Sequence, residues 1–190
     1  DAGYFPRSKS IFKKIFKLEP GNYMEFGKGN IIINKYWSLN NYNSKVVKSE
    51  SLNYYVDKCE DLLKKSISDR LISDKPLGFL LSGGLDSSLV VAIASKIIKK
   101  ENINAFNLGF EDENYDESKD ATIVSNHLGI KLEKEKLTPN DLIKQLPHFF
   151  KKFDEPFSDT ACFPLMEISK FAKKKVDVVL TGDGGDELFG

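Results

Sequence analysis

From Leu52 onward, apolar side chains recur every three or four positions (Leu52, Val56, Cys59, Leu62 or Leu63, Ile67, Leu71). That stripe predicts one long amphipathic helix. Short apolar runs then alternate with helical periodicity. Strands are expected at residues 77–81, 105–108, 131–135 and 176–181, and helices at 88–99, 117–128, 139–153 and 164–174. Thr138 ahead of Pro139 marks one helix start. Because a parallel crossover needs an intervening helix, the alternation predicts an α/β fold with a mainly parallel sheet and helices on both faces. Upstream, apolar residues 22–26 and 30–36 flank Gly27-Lys28-Gly29 and read as a hairpin. Residues 40–49, rich in Asn, Ser and Lys, read as a linker, which puts a domain boundary near 38–50.

In a parallel sheet every loop that follows a strand opens at one edge, where ligands bind. Three polar loops should therefore converge, at 82–87, 109–116 and 182–187. In the first, Gly83 and Gly84 lack the Cβ atoms that would hold backbone amides away from an anion, and Ser87 or Ser88 is placed to cap the helix that follows. A phosphate group is the expected ligand. The loop is neither a Walker loop, for want of a lysine, nor a Gly-x-Gly-x-x-Gly turn. Asp86 beside a phosphate requires a cation between them, and Mg²⁺ suits one or two carboxylates plus phosphate oxygens. The competing reading is an ordinary strand-to-helix turn.

The segment from Val176 to Glu187 repeats the design: a β-branched strand, then glycines, then carboxylates. Asp186 can share the Mg²⁺ with Asp86, and Asp183, between two glycines, can face the reacting centre as an orienting or proton-accepting carboxylate. Turn aspartates bonded to their own backbone are the alternative. Between the loops, residues 153–161 form a polar stretch bracketed by aromatics, in which Ser158, Asp159 and Thr160 read either as binding residues or as a plain surface loop pinned by Phe153 and Phe157. Glu111-Asp112-Glu113 reads as solvated.

With 28 basic and 28 acidic residues among 190, the chain has no net charge, which excludes a nucleic-acid binder that depends on its overall field. Lys13-Lys14, Lys99-Lys100 and Lys173-Lys174-Lys175 are expected at helix ends as solvated faces. Cys59 and Cys162 lack metal-ligand spacing and read as small buried apolar residues; His127 and His148 read as structural. There is no signal peptide pattern and no apolar span of ~20 residues, so a cytoplasmic home is expected.

Taken together, Ser82-Gly83-Gly84-Leu85-Asp86-Ser87, Phe106-Asn107-Leu108-Gly109-Phe110, Asp154-Glu155-Pro156-Phe157-Ser158-Asp159 and the run from Thr181 to Gly190 resemble the synthetase domain of glutamine-hydrolysing asparagine synthetases. Gly3-Tyr4-Phe5-Pro6, Ser10-Ile11-Phe12-Lys13 and Leu18-Glu19-Pro20-Gly21 resemble the end of that family's amino-terminal glutaminase domain. The resemblance implies a glutaminase tail and its hairpin at 1–38, a linker at 39–50, and the first part of an ATP-pyrophosphatase domain, adenine nucleotide alpha hydrolase-like, at 51–190. It also implies a reaction in which the aspartate side chain attacks the α-phosphate of ATP, giving β-aspartyl-AMP and pyrophosphate, and ammonia from glutamine then displaces AMP.

By carry-over, Ser82, Gly83, Gly84, Leu85, Asp86 and Ser87 hold the pyrophosphate part, Asp86 and Asp186 the Mg²⁺, and Leu80, Leu108, Thr181 and Gly182 the adenosine. Asp183 stands where some members carry glutamate, which shortens its reach. Neither cysteine matches the family's glutaminase nucleophile, and the later half of the synthetase domain, with its lysine, is not in this sequence. The piece is therefore expected not to complete the reaction alone. Ending after an apolar strand is expected to leave an unpaired edge that invites association, a homodimer included. A relative that adenylates another carboxylate, and a catalytically silent nucleotide-binding module, stay open as readings.

Overall fold

The computed structural model describes residues 3–5, 8–42 and 50–189. Most of the expected linker, Pro6 and Gly190 lie outside them. The chain divides into two compact units, one made of the described residues up to Glu50 with His148–Asp159, the other of Ser51–Pro147 with the residues from Thr160 on.

The first unit contains an antiparallel hairpin, β1 (Asn22–Gly27) and β2 (Asn30–Lys35), paired from Asn22↔Lys35 to Gly27↔Asn30. Its two-residue turn has Lys28 at φ 50° and Gly29 at φ 79°, the positive-φ pair that matches strand twist. Within the same unit, Ser158 donates its amide to the Gly3 carbonyl at 3.0 Å and Lys17 pairs with Glu155 at 2.7 Å. Phe153 stacks on Phe157 with centroids 5.2 Å apart. Residues Phe153, Glu155, Phe157 and Ser158 of this loop are thus each held in place. Lys13-Lys14 lies in a turn rather than at a helix end, with Lys14 at φ 69°.

The second unit opens with α1 (Leu52–Arg70), capped by Ser51, whose hydroxyl accepts from the Tyr54 amide at 3.2 Å. Strands β3 (Leu77–Leu80), β4 (Asn104–Phe110), β5 (Lys131–Leu137) and β6 (Val178–Leu180) form one parallel sheet in the order β5-β4-β3-β6. The helices between them are α2 (Leu85–Ile97), α3 (Ser118–Leu128), α4 (Pro139–Lys152) and α5 (Cys162–Lys173), with the short α6 (Gly185–Phe189) after β6. Gly129, left-handed at φ 65°, ends α3. Thr138 and Asp141 bond each other's backbone amides across the first turn of α4, as expected of Thr138 at a helix start.

Strand alternation decides which face each helix covers. Phe79, Leu81 and Ala105 pack with Ile67 of α1, Val91, Ile93 and Ala94 of α2 and Ala121 of α3; Leu80 and Phe106 point the other way, onto Ile168, Phe171 and Ala172 of α5. Phe106 is fully buried and meets the Phe171 ring edge-on, centroids 5.6 Å apart. Gly78 makes this possible, since a Cβ there would lie 2.7 Å from the Phe106 ring.

Several expectations need correction. The α1 stripe is buried only toward its C-terminal end: Ile67, Leu63 and Leu71 pack, while Leu52, Val56 and Leu62 are exposed. Cys162 is buried, but Cys59, on the thinly covered half of α1, is only half-buried; neither forms a disulfide. Lys173, Lys174 and Lys175 stay exposed at the end of α5, as expected, and in addition form surface ion pairs with Asp177, Glu135 and Glu133. Both histidines are exposed. β6 pairs with β3 alone among the described residues, with Val178 exposed, whereas β5 guards its edge with alternating Lys and Glu. No described helix is long and apolar enough to cross a membrane.

Candidate active site

β3 and β6 are hydrogen-bonded neighbours, so the glycine loops that leave their carboxyl ends open side by side. This is also where the sheet order reverses: the chain runs from β3 to β4 to β5 on one side and returns to place β6 on the other. The loops touch. A Cβ on Gly182 would lie 2.6 Å from the Ser87 amide nitrogen, and one on Gly185 would overlap the Asp86 carboxylate. Glycine at 182 and 185 is thus what lets the second loop close on the first.

Within the first loop, Ser87 is buried and its hydroxyl accepts from the Ser82 amide at 3.2 Å and contacts the Ser82 hydroxyl at 2.9 Å. The Ser82 hydroxyl also accepts from the Gly84 amide at 3.1 Å. Ser87 and Ser88 are not helix caps, because α2 starts at Leu85 and its cap is Gly84, which offers no side chain. Ser82 and Ser87 tie the loop into shape, and α2 has no side-chain cap on its first turn. Gly83 also has a packing role beside the expected one. At φ 100° it is closed to most residues, and its missing Cβ admits the backbone of α3 at Ala121, 2.5 Å away.

The two loops border a cleft of about 630 Å³ lined by Leu80, Ser82, Gly84, Leu85, Asp86, Ser87, Thr181, Gly182, Asp183 and Asp186, together with Glu117, Leu165 and Glu187 among others. Asp86 is half-buried, while Asp183 and Asp186 are exposed. The Asp183 carboxylate accepts from the Thr181 hydroxyl at 2.8 Å, a local turn contact of the kind weighed as the alternative for it. Five carboxylates and no lysine or arginine line this cleft. These carboxylates repel an anion, and a divalent cation such as Mg²⁺, which suits one or two carboxylates plus phosphate oxygens and water, would offset that repulsion. No group of three or more His, Cys, Asp or Glu side chains among the described residues could hold a metal without such help.

A second cavity, of about 780 Å³, adjoins the first and is mostly apolar, walled by Leu108, Phe110, Tyr115, Leu142, Leu146 and Phe163 among others. Leu108 is here, apart from Leu80, Thr181 and Gly182, so the four residues expected to share one adenosine pocket are divided between two cavities. The α4 side chains in this wall were not foreseen; their four-residue spacing reads equally well as core packing. Asn107, 2% exposed, also borders it, donating to the Leu81 carbonyl at 2.9 Å while its Oδ1 has no partner.

The β4-α3 connection is held by Asp116, which accepts from the Ser118 hydroxyl, from the Ser118 amide at 3.1 Å and from the Phe110 amide at 3.4 Å. The Ser118 hydroxyl contributes most to holding its carboxyl below the ordinary aspartate range. Its contribution to stability is therefore present above the ordinary aspartate pKa and is lost as pH falls through the lowered value. Asp116→Asn should lower the denaturant midpoint at neutral pH, and the gap to wild type should close on strong acidification; a gap constant with pH would show that this carboxylate's charge is not what holds the turn.

The profile of the asparagine synthase family matches residues 58–190. The chain belongs to that family. It is 35% identical over 190 residues to a Methanocaldococcus jannaschii relative whose name assigns it to the glutamine-hydrolyzing asparagine synthetases, covering 99% of this chain and 36% of that protein. It is 32% identical over 188 residues to asparagine synthetase (glutamine-hydrolyzing) 1 of Bacillus subtilis, covering 98% and 29%. The chain thus spans about a third of the length of these relatives. Its fold is shared with the glutamine-dependent NAD⁺ synthetase of Acinetobacter baumannii, solved with ADP, at TM-score 0.55 and 20% identity over 85% of this chain and 32% of that one. That likeness is one of fold alone, an α/β arrangement with a parallel sheet.

Proposed function

We propose that the paired loops of this asparagine synthase family chain take ATP with Mg²⁺, and that the whole protein is a cytoplasmic amide-forming ligase acting on aspartate. The observation that carries this reading is the acidic cleft: it couples a helix start without a side-chain cap, suited to phosphate, with carboxylates whose repulsion of phosphate a divalent cation would offset. Asp86 and Asp186 would hold the ion, and the backbone of residues 82–87 the β- and γ-phosphates. When bound, Mg²⁺ neutralises charge that builds on the phosphates.

In the proposed reaction an aspartate carboxylate oxygen attacks the α-phosphorus, the bond to the bridging oxygen breaks, and pyrophosphate leaves with those electrons. Ammonia then attacks the acyl carbon, AMP departs, and the ammonia nitrogen loses its proton to a base. The enzyme supplies position and field rather than a nucleophile. Asp183, beside the cleft and tethered to Thr181, is the carboxylate proposed to orient the reacting acyl group.

Two measurements test the reading. ATP with Mg²⁺ should raise the melting temperature, and ATP with EDTA should not. The full-length protein should release pyrophosphate when ATP, Mg²⁺ and aspartate are all present. Binding without aspartate-dependent pyrophosphate release would move the acceptor to another carboxylate, and absence of nucleotide binding by folded protein would sink the proposal.

A further inference from the structure

The acidic cleft and the apolar cavity share two wall residues, Ser82 and Glu117. On the reading that the cleft takes the phosphates of ATP, the apolar cavity is left for the base, and the sugar that joins them must pass the shared rim. Ser82 is already engaged, its hydroxyl bonded to Ser87 and to the Gly84 amide. The Glu117 carboxylate makes no hydrogen bond or ion pair with the described residues, although its backbone is firmly placed. Its carbonyl accepts from the Ala121 amide at 3.1 Å, and the neighbouring Asp116 is bonded to Ser118 and Phe110. Gly109 allows that turn to press against β4, since a Cβ there would lie 2.9 Å from the Asp116 carboxylate. Independently, the unpartnered Oδ1 of buried Asn107 borders the same apolar cavity, as expected where a polar ligand group completes the wall.

We infer that Glu117 receives the ribose of the nucleotide, its carboxylate accepting from a sugar hydroxyl at the junction of the two cavities. This rests on the ATP reading above. A carboxylate only accepts and a ribose hydroxyl donates, so the pair forms a charge-assisted hydrogen bond that a deoxy sugar cannot make. The site therefore selects ribonucleotides by a group outside both glycine loops.

The test is Mg²⁺-dependent binding of ATP, 2′-deoxy-ATP and 3′-deoxy-ATP to the wild-type protein and to Glu117→Ala and Glu117→Gln. Wild type should prefer ATP to at least one deoxy analogue by about tenfold, roughly the low end for a hydrogen bond to a charged group. Glu117→Ala should weaken ATP to the level of that analogue and leave the analogue's own affinity unchanged; Glu117→Gln, which still accepts, should keep part of the preference. An undiminished preference in Glu117→Ala overturns the assignment, as does equal weakening of all three nucleotides or a change only in the Mg²⁺ requirement. In those outcomes ATP binding itself survives and only the ribose contact falls. If wild type binds none of the three, the nucleotide reading fails and this assignment with it.

Discussion

Replacing Asp86 with asparagine should reduce aspartate-dependent pyrophosphate release by about a hundredfold or more, the scale on which losing one positioned electrostatic group acts in comparable sites. The side chain keeps its size, so the packing of its carboxylate against Gly185 changes little and the fold should persist. What is lost is one of two proposed anionic ligands for a divalent ion in a cleft without a basic side chain. The Mg²⁺ concentration for half-maximal nucleotide binding should therefore rise. Asp186→Asn should act in the same direction, and the double variant should fall well short of the product of the two, because both act through one ion. Asp86→Asn with turnover within about threefold of wild type at the same Mg²⁺ would remove the ion-bridging idea.

The largest loss of stability is expected from Phe106→Ala. The ring is 0% exposed, sits in the notch left by Gly78 and contacts Phe171 edge-on. Truncation leaves a cavity between the sheet and α5 that the rigid strand cannot close, at a cost of about 3–5 kcal/mol by analogy with other buried Phe→Ala changes. Urea denaturation with an unchanged slope would measure it. A loss under about 1 kcal/mol would mean that α5 does not pack on this face as described. Because β4 also carries Asn107 and Leu108, nucleotide affinity should fall in the same variant.

Much of this was readable along the chain. The apolar run at 77–81 is a strand covered by helices on both faces, which removes the polar alternation of a half-solvated strand; the run at 176–181 keeps the same pattern, although β6 is shorter and its Val178 is exposed. Both glycine-aspartate loops were visible for a similarly local reason, since a turn leaving a strand toward an anion needs glycine and a charged or hydroxyl side chain nearby. The role of each residue inside the loop was not visible. Ser87 looked like a cap and is a tie within the loop; Gly83, read only as an opening for phosphate, is also the seat of α3. Those roles depend on where the helix starts, and a shift of three residues at its N-terminus, from Ser88 to Leu85, reassigns every side chain in the first turn.

The apolar cavity and Glu117 were missed for another reason. Leu108, Leu142 and Leu146 belong to a strand and a helix that are distant along the chain, and nothing in their spacing separates a cavity wall from a core. Local pattern, then, determined the elements, the parallel sheet, the paired acidic turns and the family, because each depends on neighbours within a few residues. Tertiary structure alone decided that β6 lies beside β3, so that the two turns meet, and that a second cavity shares their rim. Strand order is set by how helices pack over the sheet, and contacts between segments roughly a hundred residues apart leave no period in a single sequence.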